Sequence, residues 1–389
     1  MPMTDPVIDL TQDLVRCPSV TPHEAGVLNV LDDFLSGTGF STERIVFKDK
    51  NTPDIENSFI RISGGDGPHL TFGGHVDVVP SGDETLWTHP PFSAHIEGGK
   101  LFGRGTSDMK GGVAAFAAAA RRFVEEFGAP NGSISLLITG DEEGPAINGT
   151  KKLLDWAKDK GEKFDAAIVG EPTNPEKLGD AIKVGRRGSQ SGTLVVKGVQ
   201  GHVAYPHRAK NPVPELAGLV ATISARELDQ GTEFFQPTNL EFISIDVGNP
   251  AWNIIPESAS ARFNVRYNDL WTKDKLTTMI EEQIAKAGDT EHFQYTIEME
   301  PDVSQVFLTR AETLITQMSR AVEVITGHVP ELSTGGGTSD ARFIKDYCPV
   351  IEFGLVGQTM HQIDEHIEIA DLVNLEAIYF QFLCNYFSA

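Results

Sequence analysis

Four short apolar runs in this chain each stop at a glycine-flanked turn that carries an acid or a histidine. Leu70 to Val79 passes through His75-Val76-Asp77, and Ser133 to Thr139 runs into Gly140-Asp141-Glu142-Glu143-Gly144. Ala166 to Val169 meets Gly170-Glu171-Pro172, and Val350 to Phe353 enters a glycine-containing loop, 354 to 360, that closes on His361. Between such runs lie stretches with apolar residues at helical spacing, so the chain reads as strands alternating with helices. That pattern specifies an α/β layer architecture with a mostly buried sheet.

Taken in order, Val7–Val15 and Ala25–Phe34 have helical periodicity, with Thr21, Pro22 and His23 at the expected start of the second helix. Phe59–Ile62, the turn Gly64-Gly65-Asp66-Gly67-Pro68 and Leu70–Val79 predict a hairpin. An alanine-rich helix is expected over Gly111–Phe127, a strand over Ser133–Thr139, a helix over Gly149–Lys160 and a strand over Ala166–Val169. The rhythm changes at Ser191. Strand 191–199, helix 212–228, strands 239–248 and 258–268, helix 272–287 and strand 293–300 give β-α-β-β-α-β, the order of a ferredoxin-like domain. Helix 311–326, the turn Gly335-Gly336-Gly337, strand 350–353 and helix 371–387 then resume the first pattern. The reading is a discontinuous catalytic domain, 1–187 with 302–389, interrupted by an insert at 188–301.

On a strand of period two, His75 and Asp77 point to one face. A neutral imidazole there can ligate a metal through one nitrogen while a carboxylate fixes its tautomer through the other. Histidine beside aspartate also describes a surface pair or a satisfied core histidine. Asp108, in Gly103-Arg104-Gly105-Thr106-Ser107-Asp108, sits on a glycine-rich turn just before a helix. In an extended Glu142-Glu143 pair the side chains diverge, leaving one carboxylate for a metal and the other for a proton. Glu142-Glu143 and Glu171 read equally as solvated acidic turns. Taken together, His75, Asp108, Glu143, Glu171 and His361 offer nitrogen and oxygen donors without thiolates, a set suited to two zinc-like ions bridged by one Asp and a water.

Composition narrows the partners. Asp and Glu number 55 against 32 Lys and Arg, a net charge of -23, which argues against nucleic acid or an anionic membrane as partner. The start of the chain has no basic segment leading into an apolar core, and no apolar stretch reaches a membrane span, so a cytoplasmic location is expected. Cys17, Cys348 and Cys384 are scattered without a CxxC, which favours neither a disulfide framework nor a thiolate metal site.

The runs HVDVVP, GRGTSDMKGG, TGDEEG, the Glu171 turn, GHVAYP and the closing His361 together resemble the co-catalytic di-zinc family of exopeptidases and deacylases, in order and across essentially the whole chain. That resemblance implies a zinc-exopeptidase-like catalytic domain, a mixed sheet flanked by helices, carrying an inserted α+β dimerisation or lid domain. It implies two Zn2+ per subunit, with Co2+ able to substitute. His75 and Glu171 would hold one, Glu143 and His361 the other, and Asp108 would bridge them, followed by a cis peptide bond. Asp77 would orient His75 and Glu142 would act as general base. His202 would stabilise an oxyanion across a homodimer, reaching the partner subunit's active site.

Three further runs, Gly185-Arg186-Arg187-Gly188-Ser189, Gly198 to His207 and Ser333 to Asp340, are most similar to the desuccinylases of that family. The reaction so implied is hydrolysis of a succinylated diamino acid, a small anionic substrate, on the route to diaminopimelate and lysine. Forked cationic donors suit its carboxylates, with Arg186 first and Arg266 next. Ser189, Asn253, Gly337, Thr338 and Ser339 could add hydrogen bonds, and Arg187 reads equally as a hinge residue. Of the other histidines, His89, His95, His207 and His366 take no role, and His366 is the rival to His361 as the last ligand. Two other readings stay open: an acetylornithine deacetylase-like enzyme or peptidase on the same scaffold, and a binding module without chemistry. A general base at Glu142 argues against the latter.

Overall fold

A computed structural model of the chain describes residues 5–301 and 304–388. Its contacts divide it into two compact units, one of Met1–Val184, Thr309–Ser333 and Ser339–Ala389, the other of Gly185–Leu308 and Thr334–Thr338. The boundary expected at Asp302 lies outside the described residues.

The first unit is built on an eight-stranded mixed sheet in the order Ser41–Phe47, Ile55–Ser63, Ser133–Thr139, His69–His75, Ala166–Val169, Val350–Glu352, Ala181–Lys183, Glu331–Ser333. The four central strands, from Ser133–Thr139 to Val350–Glu352, run parallel. Parallel neighbours need crossovers, and the Gly111–Phe127 helix supplies the one from His69–His75 to Ser133–Thr139. Alanines 114, 115, 117, 119 and 120 of this helix are wholly buried, so its backbone lies close to the sheet. Phe72 from the sheet stacks on Phe116 from the helix at 4.3 Å between centroids, and Tyr379 of the Ile369–Phe387 helix meets both rings edge-on.

Three local expectations are corrected. Ile55–Ser63 and His69–His75 form no hairpin, because Ser133–Thr139 lies between them. The Gly64–Pro68 turn grips that intruding strand instead: Gly64 N donates to Gly132 O and Ser133 N to Pro68 O, both at 3.0 Å. The strand expected over Leu70–Val79 ends at His75. The second helix begins at Val27 rather than near Thr21, since Gly26, with φ 84°, is left-handed and cannot continue a helix. Its first N–H groups are satisfied by Glu24, whose carboxylate accepts from Gly26 N at 2.8 Å and Leu28 N at 2.6 Å.

In the second unit a four-stranded antiparallel sheet has the order Asn239–Asp246, Ser258–Tyr267, Gly188–Lys197, Gln294–Met299. The helices Pro212–Ser224 and Lys273–Ala287 share one core with it, made of Leu194, Val196, Leu219, Phe263, Leu276 and Ile280. This is the ferredoxin-like arrangement. Among the described residues, no helix is long and apolar enough to cross a membrane.

Candidate metal centre

Because the four central strands are parallel, their C-terminal ends open on one edge of the sheet, where ligands bind in such folds. His75 is the last residue of its strand and is buried. Glu142 and Glu143 follow the strand ending at Thr139, and Glu171 follows the one ending at Val169. His361, with φ 62°, lies in the loop after Val350–Glu352. Asp108 arrives from outside the sheet, on the turn after Gly105 (φ 86°), and its bond to Met109 is cis.

The side chains meet through Asp108. One of its oxygens is 3.1 Å from His75 Nε2 and the other is 3.2 Å from His361 Nε2. His75 Nε2 is also 3.7 Å from Glu171 Oε1, and His361 Nε2 is 2.8 Å from Glu143 Oε1. Two overlapping donor groups result, His75 with Asp108 and Glu143, and His75 with Glu142 and Glu171, each with its atoms within 4.8 Å of one another. Donors sharing a tetrahedral ion at bond lengths of roughly 2.0–2.2 Å stand about 3.3 Å apart, so these separations fit.

The charges fit as well. Asp77, Asp108 and Glu171 are buried, and Glu142 and Glu143 flank them. Burial pushes Glu142 up to about 8, with the Asp340 charge adding to it, and pushes Glu171 well above the carboxylate range. Burial likewise raises Asp77 to about 6. For Asp108 burial acts upward, but hydrogen bonds from His361 and His75 outweigh it and hold the group low. His361 in turn is raised to about 10 by Asp108 and then Glu143. So many acids around two imidazoles cannot all ionise unless positive charge is brought among them, and cations would supply it.

Asp77 is arranged differently from the expected orienting carboxylate. Its main-chain carbonyl, 2.9 Å from His75 Nδ1, takes that place, while the nearer carboxylate oxygen stands off at 3.6 Å. The carboxylate is engaged elsewhere, accepting from Glu142 N at 3.3 Å and Glu143 N at 3.0 Å. His366 stays out of the cluster: its Nδ1 is 2.8 Å from Asp364 O and its Nε2 is 3.0 Å from Lys100 Nζ. His89, His95 and Glu97 form a separate group at an exposed hairpin, the two rings stacked at 4.0 Å.

Of the remaining expected residues, Ser339 is buried in the first unit and the others lie in the second. Arg186 is buried and donates through Nη1 to Gly337 O at 2.9 Å. Ser189 and Arg266 are partners in the register of two adjacent strands, and burial, then the Arg187 charge, lower Arg266. Arg187 Nη1 donates to Pro237 O and Asn239 Oδ1. His202 lies in a small two-stranded ribbon, Gly201–His202 with Ile254–Ile255, and Asn253 in the turn just before its second strand, where Val203 N donates to Asn253 O at 3.0 Å. Both are exposed, His202 Nδ1 accepting from Ala204 N, and Thr338 is half-buried.

Sequence reasoning overlooked three supporting residues of the first unit. Asp141 accepts from the N–H groups of Ala146, Ile147 and Asn148 and so shapes the loop behind Glu142-Glu143. Asp340 lies buried near Glu142. Glu365 lies beneath the Asp108 turn, paired with Arg104. One signal was present for Asp141, a third acid just past a strand end, beside Glu142-Glu143.

Peptidase family M20/M25/M40 matches the chain over residues 71–385. Among solved structures, the M20 family metallo-carboxypeptidase Sso-CP2 from Sulfolobus solfataricus is 18% identical with a TM-score of 0.77, over 99% of this chain and 100% of that one. Aminopeptidase PepT from Bacillus cereus is 19% identical at TM-score 0.77, over 99% and 98%. The Bacillus subtilis YXEP protein, described as a dinuclear metal binding peptidase, is 16% identical at TM-score 0.69, over 97% and 96%. At such identities the likeness is one of fold.

Proposed function

We propose that this chain, which belongs to peptidase family M20/M25/M40, is a two-metal amide hydrolase that converts N-succinyl-LL-2,6-diaminopimelate and water to succinate and LL-2,6-diaminopimelate. The observation that carries the hydrolase reading is the Asp108 carboxylate set between His75 and His361, with Glu171 and Glu143 at the outer sides. His75 and Glu171 would hold one cation and Glu143 and His361 the other, with Asp108 available to both. When bound, zinc or cobalt polarises the scissile carbonyl and brings the pKa of a water toward neutrality.

The protein's own part is positional and protonic. Asp77, through Glu142 N and Glu143 N, fixes the backbone from which ligand and base project. Glu142 takes a proton from the attacking water as the C–O bond forms and delivers one to the amine as the C–N bond breaks. His202, from the partner subunit of a homodimer, donates to the oxygen where negative charge develops. Arg186 and Arg266 pair with the substrate's carboxylates, and Ser189, Asn253, Gly337 and Thr338 fix their orientation.

The second reading is a peptidase or acetyl-deacylase on the same scaffold, favoured by the carboxypeptidase and aminopeptidase that share the fold. Comparing kcat/KM for N-succinyl-LL-2,6-diaminopimelate, N-acetyl-L-ornithine and a set of dipeptides separates the two. The succinyl compound is expected to lead by about 100-fold, within the roughly 1.5–3 kcal/mol that a hydrogen bond to a charged group provides. A lead for the acetyl compound or a dipeptide overturns the desuccinylase assignment and leaves the hydrolase one standing.

A further inference from the structure

Two loops bring Asp108 and His361 together, and neither belongs to the sheet. Between them lies an ion pair that is almost completely buried: Arg104 Nη1 donates to Glu365 Oε2 at 2.7 Å, with the side chains 3% and 0% exposed. The same Glu365 oxygen accepts from Gly105 N at 3.1 Å, and the other accepts from Ser107 N at 2.9 Å and Asp108 N at 3.2 Å. Both oxygens are thus spent on the turn that carries Asp108, ending on the N–H of Asp108 itself. Arg104 faces the other way as well. Its Nη2 lies 3.4 Å from His361 O and 3.5 Å from Pro80 O, and its guanidinium sits over the Trp87 ring at 5.2 Å.

We propose that the Arg104–Glu365 pair is a positioning device that sets the spacing of Asp108 and His361, and through it the affinity for the cation on the His361 side. The inference rests on the two-metal reading above. A buried ion pair adds little stability over an apolar pair of the same shape. What this one does that an apolar pair cannot is take three main-chain N–H groups of one ligand loop and a main-chain carbonyl of the other. The two ligands differ in how much else holds them. His75 is buried at the end of a central strand, whereas the side chain of His361 is 48% exposed on a loop and has a left-handed backbone. Loosening the pair therefore shifts His361 relative to Asp108 far more than it shifts His75.

The test is Co2+ binding to the full-length protein after chelation, followed by equilibrium dialysis and by the visible absorption of the bound ion, in wild type, Glu365→Gln and Arg104→Lys. Glutamine keeps the shape but has one acceptor oxygen for four donors. Lysine keeps the charge but has no second nitrogen for His361 O. Wild type is expected to take up two equivalents. In each variant one equivalent keeps its affinity and the other weakens by about 10–100-fold, the usual effect of removing an outer-shell partner of a ligand. Excess Co2+ then restores the wild-type spectrum, which it would not do for a misfolded site. Two equivalents bound with wild-type affinity by either folded variant overturn the proposal, as does parallel weakening of both. Arg104→Lys decides alone if Glu365→Gln does not fold. Fewer than two equivalents in wild type would instead defeat the two-metal reading itself.

Discussion

The Asp77 carboxylate accepts the main-chain N–H of Glu143 at 3.0 Å, while its second oxygen takes the preceding N–H at 3.3 Å. A carboxylate can do both because it is acceptor-only, whereas an amide of the same shape must turn an NH2 toward one of those donors. Asp77→Asn is therefore expected to displace the Glu142-Glu143 turn. Since misplacement by about 1 Å costs on the order of 100-fold in rate, kcat should fall by about that factor. Binding of His75 should be less disturbed, because the carbonyl at its Nδ1 is main chain. Steady-state kinetics with cation analysis checks this, and an unchanged kcat would remove Asp77 from the machinery.

Glu142 is a poor base as the protein alone presents it, since burial and the Asp340 charge push it up to about 8. Nearby cations favour its ionised form. Chelation should abolish hydrolysis, and Zn2+ or Co2+ should restore it to wild type. Glu142→Gln should bind both cations yet lose about 10²–10⁴-fold in turnover, the range for a positioned acid–base group. Full activity of that variant would take the base away from Glu142.

The sequence carried the site further than it carried the path of the chain. His75, Asp108, Glu143, Glu171 and His361 were legible because each is a donor at a strand end or on a glycine turn, and four parallel strands then gather such ends on one edge. The hairpin at Gly64–Pro68 failed for the opposite reason. A turn signal is local, and which strand lies beside Ile55–Ser63 is decided by the crossover helix Gly111–Phe127, some fifty residues later. Glu365 was illegible in principle. It has no periodicity, stands in a chain with 55 acids, and gains its meaning only from an arginine far away in sequence.

His69, at the start of the strand that ends in His75, gives a pH dependence that is separate from the metal chemistry. Burial, then the charge of Arg61, lower its pKa to about 4, and its Nε2 meets Ser135 Oγ at 2.8 Å. The unfolded chain takes up this proton near 6.5 and the folded one only near 4, so stability from this residue is intact above about 6.5 and falls as pH drops between those values. At about 1.4 kcal/mol per unit of pKa difference, the loss between pH 7 and pH 4.5 is roughly 2–3 kcal/mol. Urea unfolding of wild type and His69→Gln at the two pH values should show the variant losing less by that amount. Equal losses would clear His69.

Two glycines should respond in opposite directions to the same substitution. A Cβ on Gly112, in the first turn of the Gly111–Phe127 helix, would stand 2.3 Å from the carbonyl oxygen of Gly170, which is backbone and cannot swing aside. Gly112→Ala must push the helix away from the strand end, and overpacking of this kind costs about 1–3 kcal/mol. Because Gly170 directly precedes Glu171, the same displacement should weaken cation binding on the His75 side, an effect read by dialysis. A Cβ on Gly218, exposed within Pro212–Ser224, meets nothing within 4 Å. There the gain in helix propensity stands alone, so Gly218→Ala should stabilise by about 0.5–1 kcal/mol. Denaturant melts of the two variants, with opposite shifts in midpoint, check the pair, and a Gly112→Ala protein as stable as wild type would show that the helix is not seated against Gly170.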